Sequence, residues 1–305
     1  MSVLPTVSVI ISTTDAHGDL RRALNSVCGQ TLSPTEILVA GDAADHAAQQ
    51  IVQDAGGNVR WINAPAGYVG AQRNAALRRS QSDLVALLDS SAVWSPKKLE
   101  RCVTGLVNVP EDALVYTPAV FIDPNGTRDA SPDPEFLPSG WILDKLFEEP
   151  WIVDSTVVFR RTVWERHGGF DETLTVTTGQ NFYLRAARAH RFAMIPEPLT
   201  EVFRAGPLSR EEEAHHIRQT AEMMHRFYAE QGGDERLDGW RSRRILGELC
   251  EQAARVSWEE HNIPMTLRAL IGAMHYRPTW RSRLFLYWVL WRTRKERVGM
   301  VLAPG

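Results

Sequence analysis

The first ninety residues alternate short apolar runs with segments of helical spacing, and this alternation constrains the fold more than any other feature. A strand that is apolar on both faces has to be covered on both sides, as in a parallel sheet flanked by helices. We therefore predict the α/β class, with a parallel sheet covered by helices on both sides. The predicted strands are residues 7–11, 36–40, 59–62 and 84–88.

The remaining elements follow from spacing and turn residues. Apolar residues recur at helical intervals over 20–27, 46–55, 70–80 and 182–189. Residues 114–117 and 120–123, taken with the turn Pro124-Asn-Gly126, are predicted to be the strands of a hairpin. The proline-rich stretch 129–140 predicts a surface loop, and the β-rich run 155–160 predicts a further strand.

From Ser209 onward the pattern is helical almost throughout. Breaks are predicted at Gly232-Gly233, Pro264 and Pro278. We place a domain boundary near residue 206. Residues 1–206 then form the α/β domain, and residues 207–305 form a mostly α-helical C-terminal region.

Composition excludes several classes of protein. Charged residues make up 23% of the 305 residues and the net charge is −3, so the chain is neither disordered nor positive enough to attract nucleic acid. Three scattered cysteines suit a reducing compartment better than a disulfide framework. With no secretory pattern and no apolar run of about 18 residues, we expect a cytoplasmic protein.

The residues that follow the predicted strands are the first candidates for a binding site, because ligands of open α/β sheets bind beyond the carboxyl ends of the strands. These segments are Thr13-Thr14-Asp15, Gly41-Asp42, Asn63-Ala-Pro65 and Asp89-Ser-Ser91.

Five segments that occur in a fixed order carry a resemblance. They are Val7-Ser-Val-Ile-Ile-Ser-Thr13, Glu36-Ile-Leu-Val-Ala-Gly-Asp42, Gly70-Ala-Gln-Arg-Asn-Ala-Ala-Leu77, Leu87-Leu-Asp-Ser-Ser-Ala-Val-Trp94 and Gly168-Gly-Phe-Asp-Glu172. Over residues 7–206 the chain resembles the family 2 glycosyltransferases of the GT-A fold.

The resemblance implies transfer of a sugar from a nucleotide-diphospho-sugar donor to an acceptor, usually with inversion. It implies that the donor nucleotide is bound by Ser12, Thr13, Thr14, Asp42, Arg73, Asn74, Asp89 and Ser91. Without a metal, Arg73, Arg185 and Arg204 are candidates for neutralising the diphosphate, since guanidinium pairs with phosphate oxygens. Asp154 and Asp171 are candidates for the catalytic base; Glu172 and His167 are further ones.

The chain departs from the family at its chemical positions. The metal motif has Ser91 and Ala92 where aspartates are expected, and the base motif has Thr178-Gly179 in place of Glu-Asp. Gly41 and Gly206 also replace an acidic residue and a histidine. Because hard cations require oxygen ligands, we expect no metal site and no binding of Mg²⁺ or Mn²⁺ in the usual way.

Two interpretations follow from these departures. In the first, the protein transfers sugar through a rearranged site that works without a standard metal motif. In the second, it is an inactive pseudoglycosyltransferase that binds a ligand or a partner. A lost general base costs about 10²–10⁴ in rate, so the first interpretation requires a replacement for it.

The segment 277–297 contains seven basic residues, the single acid Glu296, and five tryptophan, tyrosine or phenylalanine side chains. Such a composition is typical of a helix lying at an anionic membrane surface, at the inner face of the membrane for a cytoplasmic protein. It also suits a helix buried against the helical region or against a second subunit. The sequence does not decide between these two environments. Burial against a second subunit would make the protein a homo-oligomer.

The remaining expectations concern partners. The expected acceptor is a glycan, a lipid-linked molecule or a natural product, and no nucleic acid is expected. Three histidines, His215, His216 and His225, are interpreted as solvated helix surface rather than as a metal site, because adjacent residues on a helix point in different directions.

Overall fold

The predicted apolar strands lie side by side in one sheet. The computed structural model of the chain describes residues 5–13, 17–109, 114–131, 135 and 137–301. Strand β1 (Val7–Ser12) pairs in parallel with both β2 (Glu36–Gly41) and β4 (Leu84–Asp89), and β2 pairs in parallel with β3 (Val59–Asn63). All six residues of β1 and of β2 are buried, which explains why these strands are apolar on both faces.

The sheet has seven strands in the order β10-β6-β9-β4-β1-β2-β3. The additional strands are β6 (Leu114–Tyr116), β9 (Val158–Arg160) and β10 (Phe192–Met194). Strand β9 runs antiparallel to both β4 and β6, so the sheet is mixed rather than purely parallel. The α/β class is confirmed.

Helices form wherever the spacing predicts them, but their ends differ. Helix α7 begins at Thr178, four residues before the predicted start, because Thr178, Gly179 and Gln180 carry no apolar periodicity. The helices among the described residues of the first 207 are α1 (His17–Cys28), α2 (His46–Ala55), α3 (Val69–Leu77), α4 (Lys98–Asn108), α5 (Leu143–Glu148), α6 (Arg161–Arg166) and α7 (Thr178–Ala187).

The predicted hairpin between 114–117 and 120–123 is wrong. Strand β6 belongs to the seven-stranded sheet, whereas β7 (Ala119–Ile122) pairs with β8 (Arg128–Ser131). The turn between β7 and β8 is closed by the Asp123 carboxylate, which accepts hydrogen bonds from the backbone N–H groups of Asn125 and Thr127. Part of the predicted loop 129–140 is therefore strand. Sequence reasoning missed β8 because its residues are mostly polar.

A smaller sheet has four strands in the order β5-β11-β7-β8. Strand β11 (Thr200–Phe203) pairs in parallel with β7 and antiparallel with β5 (Ala92–Trp94). The predicted strand 155–160 is also shorter than expected. Its first part, Asp154–Thr156, forms a single 3₁₀ turn ahead of β9.

The chain divides into two compact units, Met1–Pro207 and Leu208–Gly305. The described part of the second unit consists of α8 (Arg210–Glu230), α9 (Gly239–Glu259), α10 (Ile263–Tyr276) and α11 (Trp280–Val301). Pro264 does not break a helix as predicted, because a proline in the first turn has no hydrogen bond to lose; the break falls at residues 260–262. Over the described residues, no helix has both the length and the apolarity that crossing a bilayer requires.

Two histidines meet at the end of α6. The Nε2 atoms of His167 and His190 are 2.9 Å apart, and His190 is buried. Burial, together with the neighbouring His190 and nearby arginines such as Arg185, lowers the pKa of His167 to about 4 from an ordinary 6.5. The folded protein therefore keeps this imidazole neutral at pH values where the unfolded chain would protonate it.

This difference predicts a pH-dependent stability. Between pH 6.5 and 4 the unfolded chain binds a proton that the folded chain does not, so the free energy of unfolding falls as the pH falls. One proton contributes at most about 1.4 kcal/mol per pH unit, and less here because solvent partly screens His167. Urea unfolding at pH 7 and pH 5 should show a shallower pH dependence for His167→Gln than for the wild type.

The exposed His46 supplies the matched control. The variant His46→Gln should keep the wild-type pH dependence. An equal slope for His167→Gln and the wild type would contradict the assignment of this effect to His167.

Candidate functional site

The carboxyl ends of β1 and β4 bring the first site residues together. Ser12 and Asp89 are register partners at the last position of these neighbouring parallel strands. Helix α3 carries Arg73 to the same edge. As predicted for an open α/β sheet, polar side chains gather where the strands end.

Arg73 is the centre of this cluster. Its side chain is 1% exposed and donates through Nη2 to Asp89 Oδ1 at 2.8 Å and through Nη1 to Asp154 Oδ2 at 2.5 Å. Its Nε atom donates to Ser12 Oγ at 3.3 Å. One buried cation therefore joins four elements of the chain: β1, β4, α3 and the turn before β9.

The charges in this cluster determine the state of Arg73. Burial by itself would lower the pKa of Arg73, but the negative charges of Asp154 and Asp89 outweigh burial and raise it above its usual value. The guanidinium thus remains charged although it is sealed from solvent. Two carboxylates share one guanidinium, which leaves a net charge of −1 on these three side chains.

Asp154 has a second donor. The Tyr183 hydroxyl on α7 donates to Asp154 Oδ1 at 2.9 Å. Burial and the charge of Asp154 raise the pKa of Tyr183 well above its usual value, so the phenol stays protonated and keeps donating. The Asp154 side chain is 23% exposed, so the carboxylate is fixed by protein on one side and open on the other.

Gly179 explains how α7 approaches this carboxylate. A Cβ atom at position 179 would lie 1.9 Å from Asp154 Oδ1 and 2.5 Å from its Cγ, so any side chain there would collide. Tyr183 follows Gly179 by four residues and therefore lies on the same face of the helix. The Asp154 carboxylate occupies the space from which a side chain at position 179 would start.

Buried hydrogen-bond donors hold the turn that carries Asp154. Trp94 Nε1 donates to the Ser155 carbonyl at 2.7 Å, and Lys98 Nζ donates to the Thr156 carbonyl at 2.5 Å. Lys98 is fully buried, and burial lowers its pKa. Sequence reasoning missed Trp94, Lys98 and Tyr183; the only available signal was their proximity in sequence to Asp89 and Gly179.

The residues at the metal motif do not fit a divalent cation. Asp89 Oδ1 accepts from Arg73, and Asp89 Oδ2 accepts from Ser155 Oγ at 3.1 Å. Ser91 has no carboxylate to offer, and its carbonyl accepts from the Phe203 N–H at 2.9 Å. Throughout the residues that the structure describes, no three His, Cys, Asp or Glu side chains are grouped to hold an ion.

Thr13 and Asp42, which are predicted to bind the nucleotide, lie near the carboxyl end of β2. Thr13 Oγ1 donates to the Ala40 carbonyl at 3.2 Å, and Asp42 Oδ1 accepts from the Ala44 N–H at 2.9 Å. Asp42 is partly exposed just beyond the strand. Thr14 lies outside the described residues.

Asn74 lies next to Arg73 on α3 but has a different set of neighbours. Its Nδ2 donates to the Phe170 carbonyl and to Glu172, both at 2.8 Å, and its Oδ1 accepts from the Phe170 N–H and from Trp164 Nε1. The side chain is 4% exposed. Asn74 therefore ties α3 to the Gly-Gly-Phe-Asp-Glu segment, and its predicted contact with a nucleotide stays a prediction.

The other predicted charged residues lie in different surroundings. The guanidinium of Arg185 donates to the carbonyls of His167 and Gly169, at the loop after α6. Arg204 is exposed at the end of β11 and stacks on Phe121, with its Cζ 3.9 Å from the ring centre. Asp171 Oδ1 closes a local turn by accepting from the N–H and the hydroxyl of Thr173.

A family model described as glycosyl transferase family 2 matches residues 8–167. Among curated proteins, the chain is 21% identical to the chondroitin synthase of Pasteurella multocida over 62% of its own length and 20% of that protein. It is 26% identical to the uncharacterized glycosyltransferase YwdF of Bacillus subtilis, over 62% of its own length and 71% of that protein. The chain thus spans about a fifth of the large Pasteurella enzyme.

Solved structures share the fold at low sequence identity. The structure of S. aureus TarS residues 1–349 in complex with UDP-GlcNAc has a TM-score of 0.63 at 17% identity and covers 90% of this chain and 82% of its own. The mannosyltransferase PcManGT from Pyrobaculum calidifontis, in complex with GDP-Man and Mn²⁺, has a TM-score of 0.60 at 15% identity and covers 94% of this chain and 79% of its own. Since the family model spans more than half of the chain, on a GT-A scaffold, the chain belongs to glycosyl transferase family 2.

Proposed function

We propose that the protein transfers a sugar from a nucleotide-diphospho-sugar to an acceptor hydroxyl without a divalent metal in the usual role. The observation that carries this proposal is the position of Asp154, whose carboxylate lies over Gly179 while the buried Arg73 links it to Asp89. The nucleotide-sugars bound to TarS and to the Pyrobaculum mannosyltransferase support a donor of this class.

In this proposal Asp154 is the general base. As the acceptor oxygen bonds to the anomeric carbon, its proton passes to the Asp154 carboxylate and the nucleoside diphosphate leaves with the electron pair of the broken bond. Arg73 and Tyr183 hold the carboxylate in place, and each of its oxygens keeps a further lone pair for the proton. We favour Asp154 over Asp171, because Asp154 shares Arg73 with Asp89 at the end of β4, whereas Asp171 accepts hydrogen bonds from Thr173 within a local turn.

The leaving diphosphate requires positive charge. Two carboxylates already balance Arg73, so its guanidinium supplies little net charge. Arg204 is exposed, and its face rests on Phe121, which leaves N–H groups at its edge for phosphate oxygens. We therefore favour Arg204 over Arg185, whose guanidinium donates to two backbone carbonyls. Asp42, partly exposed at the end of β2, is the proposed contact for the nucleoside.

A second candidate function is that of an inactive glycosyltransferase-like binding protein. The observation that favours it is that Asp89 and Asp154 both contact the same buried arginine, so each is already engaged before any substrate arrives. In that case the pocket would bind a nucleotide or a partner without turnover. Donor binding with no transfer or donor hydrolysis would support this candidate.

We also propose where the protein acts. The three cysteines are free, which suits the cytoplasm. A glycan, a lipid-linked molecule or a natural product is the proposed acceptor, and the basic, aromatic segment 277–297 supports contact with the inner face of the membrane.

The base proposal predicts that Asp154→Asn lowers the transfer rate by about 10²–10⁴. The amide keeps the shape and can accept from Tyr183, but it cannot take a proton from the acceptor. Transfer would be measured with a panel of nucleotide-sugars, and donor affinity by calorimetry. Asp144→Asn, at an exposed position of α5, is the matched control and should leave the rate unchanged.

A carboxylate swap tests the same site more sharply. Gly179→Asp alone should lose activity and stability, because its Cβ would collide with Asp154. Combining Gly179→Asp with Asp154→Gly frees that space and supplies a carboxylate from α7, so part of the transfer rate should return. Full activity of Asp154→Asn would exclude Asp154 as the base.

The donor proposal predicts nucleotide binding without added metal. Calorimetric titration of UDP, GDP and their sugars should give dissociation constants in EDTA close to those in Mn²⁺, because Asp89 is engaged by Arg73 and Ser155. Binding that appears only with Mn²⁺ would contradict metal independence. No heat with any of these ligands would contradict a donor site of this kind.

A further inference from the structure

Helix α11 carries large apolar side chains on two opposite faces. On one face Val289 is fully buried, with Phe285 partly buried beside Trp258. On the other, Trp280, Leu284 and Tyr287 are 68%, 58% and 70% exposed. One face therefore contributes to the core of the second unit, and the other presents its side chains to solvent.

The exposed side chains form a continuous stripe. Trp280, Leu284, Tyr287 and Trp291 follow one another at intervals of four, three and four residues, which places them on one side of a helix. Trp291 is 58% exposed. We call these four residues the outer stripe. Single exposed apolar residues are ordinary, but a contiguous stripe of this kind marks an interaction surface.

The charged residues that the segment 277–295 itself contributes are all basic. Arg281 and Arg283 flank its first half along the helix, and Arg292, Arg294 and Lys295 follow in the sequence. From 277 to 295 the sequence has no acidic residue. A partner that covers the stripe therefore has to offer negative charge at its rim.

We propose that the outer stripe docks onto a phospholipid surface with anionic headgroups. This inference rests on the membrane contact of the proposed function. It adds which face of α11 makes the contact and which lipid charge is required. Tryptophan and tyrosine rings favour the headgroup level of a bilayer, where one side of the ring is apolar and the other wet. The helix would lie in the plane of the interface.

A second copy of the chain is a weaker match for the same face. The four-three-four spacing also occurs in paired helices. A second copy that paired through the same segment, however, would offer only basic residues between 277 and 295 to Arg281 and Arg283. Anionic lipid supplies the negative charge that this segment lacks, whereas self-association would bring positive charges together.

The first test is cosedimentation of the full chain with vesicles of phosphatidylcholine, with and without phosphatidylserine. The wild type should bind the vesicles that contain phosphatidylserine. The triple variant Trp280→Ala, Leu284→Ala, Tyr287→Ala should bind about tenfold more weakly or less, because the apolar area that enters the interface is removed. Trp240→Ala, which removes a 72% exposed tryptophan from α9, is the matched control and should bind as the wild type does.

Charge variants separate electrostatic attraction from apolar insertion. Arg281→Gln and Arg283→Gln should each weaken binding to phosphatidylserine vesicles roughly fivefold, and added salt should reduce the difference. Arg268→Gln, at an 83% exposed position on α10, should have a smaller effect.

Three results would overturn the inference. They are no binding to phosphatidylserine vesicles, equal binding of the triple variant and Trp240→Ala, or a wild-type dimer that the triple variant dissociates without any vesicle binding. Circular dichroism should show an unchanged helix content for every variant, since the replaced side chains are exposed. None of these measurements uses a sugar donor, so failure here leaves the transferase proposal standing, and failure of transfer leaves this inference standing.

Discussion

The buried guanidinium of Arg73 is the interaction on which the edge of the sheet depends. It connects α3 to the ends of β1 and β4 and to the turn before β9, through Ser12, Asp89 and Asp154. Removing one partner from a buried ion pair costs about 3–5 kcal/mol, because the remaining charge is left uncompensated. Arg73 therefore positions both carboxylates, and loss of either one would leave the guanidinium with a single partner charge.

This coupling gives a physical account of the departures from the family pattern. The glycine at 179 and the aspartate at 154 depend on each other, since a side chain at 179 and a carboxylate from 154 cannot occupy the same space. In the proposed mechanism, Asp154 on the neighbouring turn supplies the acidic group that the family pattern predicts on α7. Asp89 differs, because Arg73 and Ser155 already donate to its two oxygens, and among the described residues no three His, Cys, Asp or Glu side chains are grouped to hold an ion.

The sequence predicted the scaffold better than the contacts of the site. Strands β1, β2 and β4 were predictable because burial on both faces leaves an apolar run, and the positions of Ser12 and Asp89 follow from the ends of those strands. Asp154 was a candidate, but its contact with Arg73 joins residues 81 positions apart, which no local pattern reveals. The support from Tyr183, Trp94 and Lys98 was missed for the same reason, and β8 was missed because a polar edge strand has no apolar period.

Helix α11 shows why composition left two interpretations open. An apolar run that continues around the whole helix is compatible with burial and with a membrane surface, and in the structure one face is buried while the other is exposed to solvent. Val289 faces the packed interior, whereas Trp280 and Tyr287 are mostly exposed to solvent. Burial against α9 and α10 requires only the inner face to be apolar. Packing within the protein therefore does not explain the outer tryptophans and tyrosine. Because the charged residues from 277 to 295 are all basic, we expect a partner of this face to carry negative charge.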